Sequence, residues 1–199
     1  MESEIVLSNI SKSFNGNKVL DNFSYTFKYS NIYKLVGPNG SGKTTLLKII
    51  KGIYLPDSGE ILLNPTLRNN VSYIDNNPRS FFHRLNVRDN LDYFLSLYSP
   101  NYDRQFIKEL LDYFGISHLK NTLFSDLSQG QMQLLSIIRG VANKSKVTIL
   151  DESFSFLDIK IKSKLESFLI ERYIQDESLV LFCSHDEIFA EAKFIELRL

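Results

Sequence analysis

Gly37-Pro38-Asn39-Gly40-Ser41-Gly42-Lys43-Thr44 is the stretch from which the fold of this chain is read. It matches G-x-x-x-x-G-K-[ST], the phosphate-cradling P-loop. An apolar run, Ile32 to Val36, leads into it, broken only by Lys34, and a helix-like run, Thr45 to Lys51, follows. A strand delivers the chain to a tight turn, and the next helix aims its free backbone N–H groups at an anion. Glycine lets the backbone come close to phosphate. The pattern predicts a bound nucleoside triphosphate, held by Gly37, Asn39, Gly40, Ser41, Gly42, Lys43, Thr44 and Thr45. Lys43 reaches the terminal phosphates and the Thr44 hydroxyl is placed for Mg²⁺.

The bulk properties narrow the setting. At 199 residues the chain fits one domain, or one core carrying an inserted subdomain. Lys plus Arg and Asp plus Glu both total 23, so the basic excess typical of nucleic-acid binders is missing. Cys183 is the single cysteine, which excludes an internal disulfide and suits a reducing compartment. It lies in an apolar run, Leu179 to Cys183, and reads as core. No apolar stretch approaches bilayer length, and the acidic Met1-Glu2-Ser3-Glu4 start lacks a signal-peptide pattern. The expected location is cytoplasmic.

Residues 4 to 36 read as short strands, with Asn15-Gly16-Asn17 as a turn. Pro56-Asp57-Ser58-Gly59 is another turn, before a strand from Glu60 to Leu63. Val71 to Ile74 is a further short strand. From Asn76 to Lys144 the periodicity becomes helical: Val87-Leu91-Phe94-Leu95, then Phe106-Leu110-Tyr113-Phe114 with Gly115 as a stop. A third helix begins at Ser128, with Leu134, Ile137, Ile138 and Val141 on one face. Afterwards Val147 to Leu150 and Leu179 to Cys183 are buried-type strands flanking a helical pattern from Asp158 to Tyr173. Such alternation predicts an α/β fold with a parallel sheet. One domain over 1–199 is expected, with an α/β core (1–75 and 145–199) and an inserted helical subdomain (76–144).

The strand Val147 to Leu150 ends in Asp151-Glu152. Acids at the C-terminal end of a parallel strand face the ligand crevice. Downstream of a P-loop, Asp151 is the candidate Mg²⁺ support and Glu152 the candidate base for water. Leu127-Ser128-Gln129-Gly130-Gln131 precedes them. Ser128 with Gln131 three residues on forms a capping box, which needs no functional role, yet a capped helix N-terminus is also an anion site.

The order of these motifs resembles the ATP-binding cassette (ABC) ATPases, over essentially the whole chain. The resemblance implies a P-loop NTPase fold: a RecA-like parallel sheet, an N-terminal antiparallel β-subdomain and a helical insertion. It implies that Ser128, Gly130 and Gln131 meet the ATP held by a partner subunit's P-loop. Phe14 then stands where an aromatic stacks on adenine. Leu157-Asp158 looks like the D-loop at the dimer interface, and His185 in Ser184-His185-Asp186 like the switch histidine on the γ-phosphate. Asn76 stands where the family has Gln, one methylene shorter, contacting Mg²⁺ or the attacking water. Further departures are Gln129 for the first signature Gly, Leu134 for a frequent Arg and Ser153 for a frequent Pro.

By this resemblance the chain is an ATP-hydrolysing transporter subunit using ATP and Mg²⁺. It forms a head-to-tail homodimer or heterodimer with ABC ATPase subunits. It docks separate integral membrane subunits from the cytoplasmic face. Phe81, Phe82, Tyr93, Phe94 and Tyr98 are candidates to line the docking groove, Phe81 and Phe82 foremost; most of the set reads as core. With no room for a C-terminal regulatory domain after His185, export is slightly favoured. The alternatives are a soluble ABC-type ATPase acting on nucleic acid or ribosomes, and a scaffold that has lost catalysis.

Overall fold

A computed structural model of the chain describes residues 4–64, 70–77, 80–175, 177–184 and 193–196. β1 (Glu4–Phe14) and β2 (Asn17–Lys28) form an antiparallel hairpin. Its two-residue loop, Asn15-Gly16, has positive φ at both positions, the mirror-image turn that matches strand twist. β4 (Ser58–Leu62) pairs with the other edge of β1, giving the order β2-β1-β4. The second sheet is parallel, in the order β5-β6-β7-β3-β8. Its strands are β3 (Asn31–Val36), β5 (Val71–Asp75), β6 (Val147–Asp151), β7 (Leu179–Cys183) and β8 (Lys193–Glu196).

Alternation along these strands sorts side chains between two cores. Tyr33, Leu35, Val71, Ile149 and Leu181 face α1 (Lys43–Lys51), which supplies Leu46, Leu47, Ile49 and Ile50. The antiparallel sheet adds Ile5, Leu7, Ile10 and Phe27 to that core. On the opposite face Ile32, Ile74, Leu150, Val180 and Phe182 join a core built by the remaining helices. These are α2 (Val87–Tyr98), α3 (Arg104–Tyr113), α4 (Gln129–Ala142) and α5 (Ile159–Gln175). The helical run between β5 and β6 appears where periodicity puts it. Gly115 has φ 75° just past α3, as its role as a stop requires.

The capping box of α4 is fully formed: Ser128 N–H donates to Gln131 Oε1 (2.8 Å) and Gln131 N–H to Ser128 Oγ (3.3 Å). No described helix is long and apolar enough to cross a membrane. The chain order puts the end of β3, which carries the P-loop, and the end of β6, which carries the acids, on the same side of the sheet with β7 between them. This is the crevice geometry of open parallel sheets.

The aromatic cluster divides. Phe81, expected as a leading docking residue, is core: only 4% exposed, stacked on Phe124 at 4.7 Å, with the Arg139 guanidinium 4.3 Å from its ring centroid. Phe82, Tyr93 and Tyr98 are exposed instead. Asn90 holds the turn that separates the two phenylalanines. It is fully buried, its Oδ1 accepts from Phe82 N–H (2.8 Å), and its Nδ2 donates to the carbonyls of Phe82, Leu85 and Asn86. Replacing Asn90 by Leu strips these bonds from buried backbone. The expected loss is about 3 kcal/mol, read from the urea unfolding midpoint, with near-normal stability counting against this role.

Candidate functional site

Gly42, the residue capping the start of α1, has φ 87° and offers no side-chain cap, so the N–H groups of the first turn stay open to an anion. A Cβ at Gly42 would lie 2.8 Å from the Val19 carbonyl oxygen and 2.9 Å from Leu20 Cδ2. The position therefore needs glycine for conformation and for space. The loop borders a cavity of about 460 Å³ lined by Val19, Asn39, Gly40, Gly42, Lys43, Thr44, Thr45 and Glu152. Lys43 Nζ lies across the loop, donating to the carbonyls of Gly37 (2.8 Å) and Pro38 (3.1 Å). Ser41 Oγ is buried and has no hydrogen-bond partner among the described residues. A loop with open N–H groups, a cation on a long side chain and an unpaired buried hydroxyl fits a polyphosphate.

Asp151, at the end of β6, is 5% exposed and is gripped by three donors. Thr44 Oγ1 donates to Oδ1 (2.9 Å), across 107 residues of sequence. Cys183 Sγ donates to the same oxygen (2.8 Å), and the Tyr73 hydroxyl donates to Oδ2 (2.5 Å). Burial above all, then the bond to Asp151, pushes the Tyr73 phenol pKa up. Burial, then the Asp151 charge, does the same for the Cys183 thiol. Both groups therefore stay protonated and remain donors. A hydroxyl and an anionic carboxylate meeting beside a phosphate loop are hard oxygen ligands, the set that suits Mg²⁺.

Glu152 follows with φ 53°, a left-handed backbone that strains a non-glycine residue. Its N–H is anchored to the Cys183 carbonyl (3.0 Å), and the residue lines the P-loop cavity. Glu152 and Lys43 thus line the same cavity.

The other expected residues are placed elsewhere. Phe14, at the end of β1, is 39% exposed, with its edge on Tyr54 and the Lys12 ammonium 5.5 Å from the ring centroid. It is not among the lining residues of the cavity. Asn76 is exposed in the bend after β5 and also lies outside that lining. Ser128, Gly130 and Gln131 sit at the α4 N-terminus, where a Cβ on Gly130 would lie 2.7 Å from the Phe156 carbonyl oxygen. The signature turn thus packs directly on the loop after Glu152. Asp158 caps α5, accepting from Ile161 N–H (2.9 Å). Leu134 is core, as is Ser153, whose hydroxyl donates to Ile74 O. His185 and Asp186 lie outside the described residues.

Three residues escaped the motif reading. Tyr73 and Cys183 looked like ordinary strand residues, Cys183 as simple core. Gln133 is buried in α4 and donates to the Asp75 carbonyl (3.0 Å), tying the signature helix to the end of β5. Its one sequence signal is an amide within an apolar helical stripe.

The architecture and site are those of a P-loop ATPase with an inserted helical region, and residues 20–155 match the ABC transporter family. The chain belongs to that family, as a nucleotide-binding subunit of its ATP-hydrolysing class. It is 32% identical over 192 residues to the sulfate/thiosulfate import ATP-binding protein CysA of Nephroselmis olivacea, covering 92% of this chain and 56% of that protein. It is 32% identical over 182 residues to the zinc import ATP-binding protein ZnuC of Rickettsia bellii, covering 92% and 76%. A solved structure, a putative ABC transporter ATP-binding protein from Pyrococcus furiosus, shares the fold with a TM-score of 0.84 at 24% identity over 98% of both chains. Both sequence relatives carry import names, so the leaning towards export finds no support in them.

Proposed function

We propose that this chain hydrolyses ATP to drive solute movement through separate membrane-spanning subunits. The reading rests on one observation: Asp151 is bonded to Thr44 at the mouth of the P-loop, and Glu152 lines the same cavity. The chain is one domain, with 76–144 as a helical insertion in the 1–75 and 145–199 core. The import names of the relatives favour inward transport.

The first-turn N–H groups of α1 and Lys43 Nζ hold the β- and γ-phosphates. Ser41 Oγ is available to donate a further bond. Thr44 Oγ1 and Asp151 are the groups that hold Mg²⁺, with Asn76 as a candidate third. When bound, Mg²⁺ neutralises charge on the phosphate oxygens. Glu152 orients water and accepts its proton as the water oxygen attacks the γ-phosphorus and the bond to ADP breaks. By the family resemblance His185 is the candidate contact to the γ-phosphate. Phe14 stacks on adenine once the base is bound.

Ser128, Gly130 and Gln131 complete the site of a second subunit, identical or related, arranged head to tail, with Asp158 at the interface. Phe156 and Ile159 beside this surface are 43% and 80% exposed, large apolar side chains that such a partner covers. Phe82, Tyr93 and Tyr98 offer a separate exposed face for the membrane subunit. The subunit then sits on the cytoplasmic face of the membrane, with no nucleic acid partner.

The test is co-purification of the tagged protein from its native cell in mild detergent. An integral membrane protein is expected in the complex. Recovery only with ribosomes, with DNA or without any membrane protein overturns the transporter reading.

A further inference from the structure

The geometry points to Tyr73 and Cys183 as positioning residues that fix the rotation of the Asp151 carboxylate and thereby the strength of the metal site beside the P-loop. The inference rests on the proposed reading of Asp151 as Mg²⁺ support.

Sheet register supplies the argument. Asp151 on β6 is the Cα partner of Cys183 on β7, and on its other side β5 pairs Tyr73 with Ile149. Residues 73 and 75, 149 and 151, and 181 and 183 share one face of the sheet, because side chains alternate along each strand. Cys183 therefore lies directly beside Asp151, while Tyr73 lies one diagonal step away. A diagonal neighbour in a sheet is about 7–8 Å distant, within reach of an aromatic side chain. The phenol spans that gap and ends 2.5 Å from Oδ2, and the thiol ends 2.8 Å from Oδ1.

The two oxygens are not held equally. Oδ1 accepts from Thr44 and Cys183, whereas Oδ2 accepts from Tyr73 alone among the described residues. A carboxylate torsion is broad and roughly two-fold, so packing and hydrogen bonds must select its angle. Without the Tyr73 hydroxyl, Oδ2 loses its fixed point and the plane is free to turn about the Thr44 contact. Without the Cys183 thiol, Thr44 still holds Oδ1. Tyr73 is thus the stronger determinant and Cys183 the weaker. Outer partners that orient metal-ligating groups change affinity about 10–100-fold when removed.

Tyr73→Phe deletes one oxygen and keeps the ring, so its packing against the core that contains the α1 residues is retained. The probes are Mn²⁺, followed by paramagnetic resonance, and a non-hydrolysable ATP analogue, with the full chain. Analogue affinity in EDTA is expected to match the parent. Mn²⁺ affinity of the analogue-bound protein is expected to fall about 10-fold, with an altered spectrum. Cys183→Ala is expected to lose less than Tyr73→Phe, and Cys183→Ser, which restores an O–H donor, to recover that loss. Parent-like Mn²⁺ affinity and spectrum in Tyr73→Phe overturn the inference. So does an equal loss of analogue affinity in EDTA, which marks a structural role. Failure of the unaltered chain to hold Mn²⁺ with the analogue overturns the underlying site reading instead.

Discussion

Glu152→Gln is expected to lower the ATP turnover number by at least about 100-fold while leaving ATP binding intact, since general-base catalysis contributes about 10²–10⁴. The reason lies in what the exchange leaves alone. Gln matches Glu in shape and carries the same Cβ, so the φ of 53° is held at the same cost and by the same bond to the Cys183 carbonyl. Lys43 keeps its two loop carbonyls, and Thr44 keeps its bond to Asp151. What disappears is the proton acceptor and one negative charge near the phosphates. ATP should therefore accumulate on the protein, and in saturating Mg·ATP the variant should run as a dimer in gel filtration. A variant that stays monomeric counts against head-to-tail closure. Near-normal turnover would assign the base to another group.

Lys43→Ala is expected to cut turnover about 10²–10³-fold, the scale seen when one preorganised donor to developing charge is removed, and to weaken ATP binding as well. Lys43 is the only cationic side chain lining the P-loop cavity among the described residues. Its ammonium is held by two loop carbonyls at 2.8 and 3.1 Å, so it is delivered to the mouth of the loop with little freedom left to lose. Alanine removes the charge and both bonds. Lys43→Arg is expected to recover little, because a planar fork does not replace a compact point charge at a crowded glycine-rich loop. Thermal unfolding should change little in either variant, since Lys43 belongs to neither hydrophobic core. Activity within a few-fold of the parent, with unchanged unfolding, would remove Lys43 from the mechanism.

The depth of these expectations follows how locally each residue is determined. The P-loop, the Asn15-Gly16 turn and the Ser128–Gln131 capping box were all legible, and each forms as read. Their hydrogen bonds close within a few residues, so side-chain chemistry at fixed spacing is enough. Asp151-Glu152 was legible as a pair at a strand end, because an apolar run closing on two acids, downstream of a P-loop, places carboxylates at the mouth of the phosphate crevice. The left-handed turn that separates the two acids was not.

Neighbouring residues of identical chemistry show where such reading stops. Phe81 and Phe82 are equal in sequence, yet one is buried, stacked on Phe124 with Arg139 close to its ring, while the other stays 45% exposed. Asn90, eight residues beyond Phe82, decides between them by pinning the Phe82 backbone. In the same way nothing in the spacing of Tyr73, Asp151 and Cys183 marks them as partners. They meet because β5, β6 and β7 become adjacent in one register, and a shift of one residue would turn each side chain to the opposite face.

The sequence by itself determined the class of ligand, the phosphate cradle, the acids and the alternation that builds a parallel sheet, because each depends on contacts made within one turn or one strand. Only the tertiary structure decided which donors grip Asp151, which aromatics face outward and how α4 is tied to β5 through Gln133. Those contacts join segments tens to more than a hundred residues apart, and only the order in which strands and helices pack brings them together.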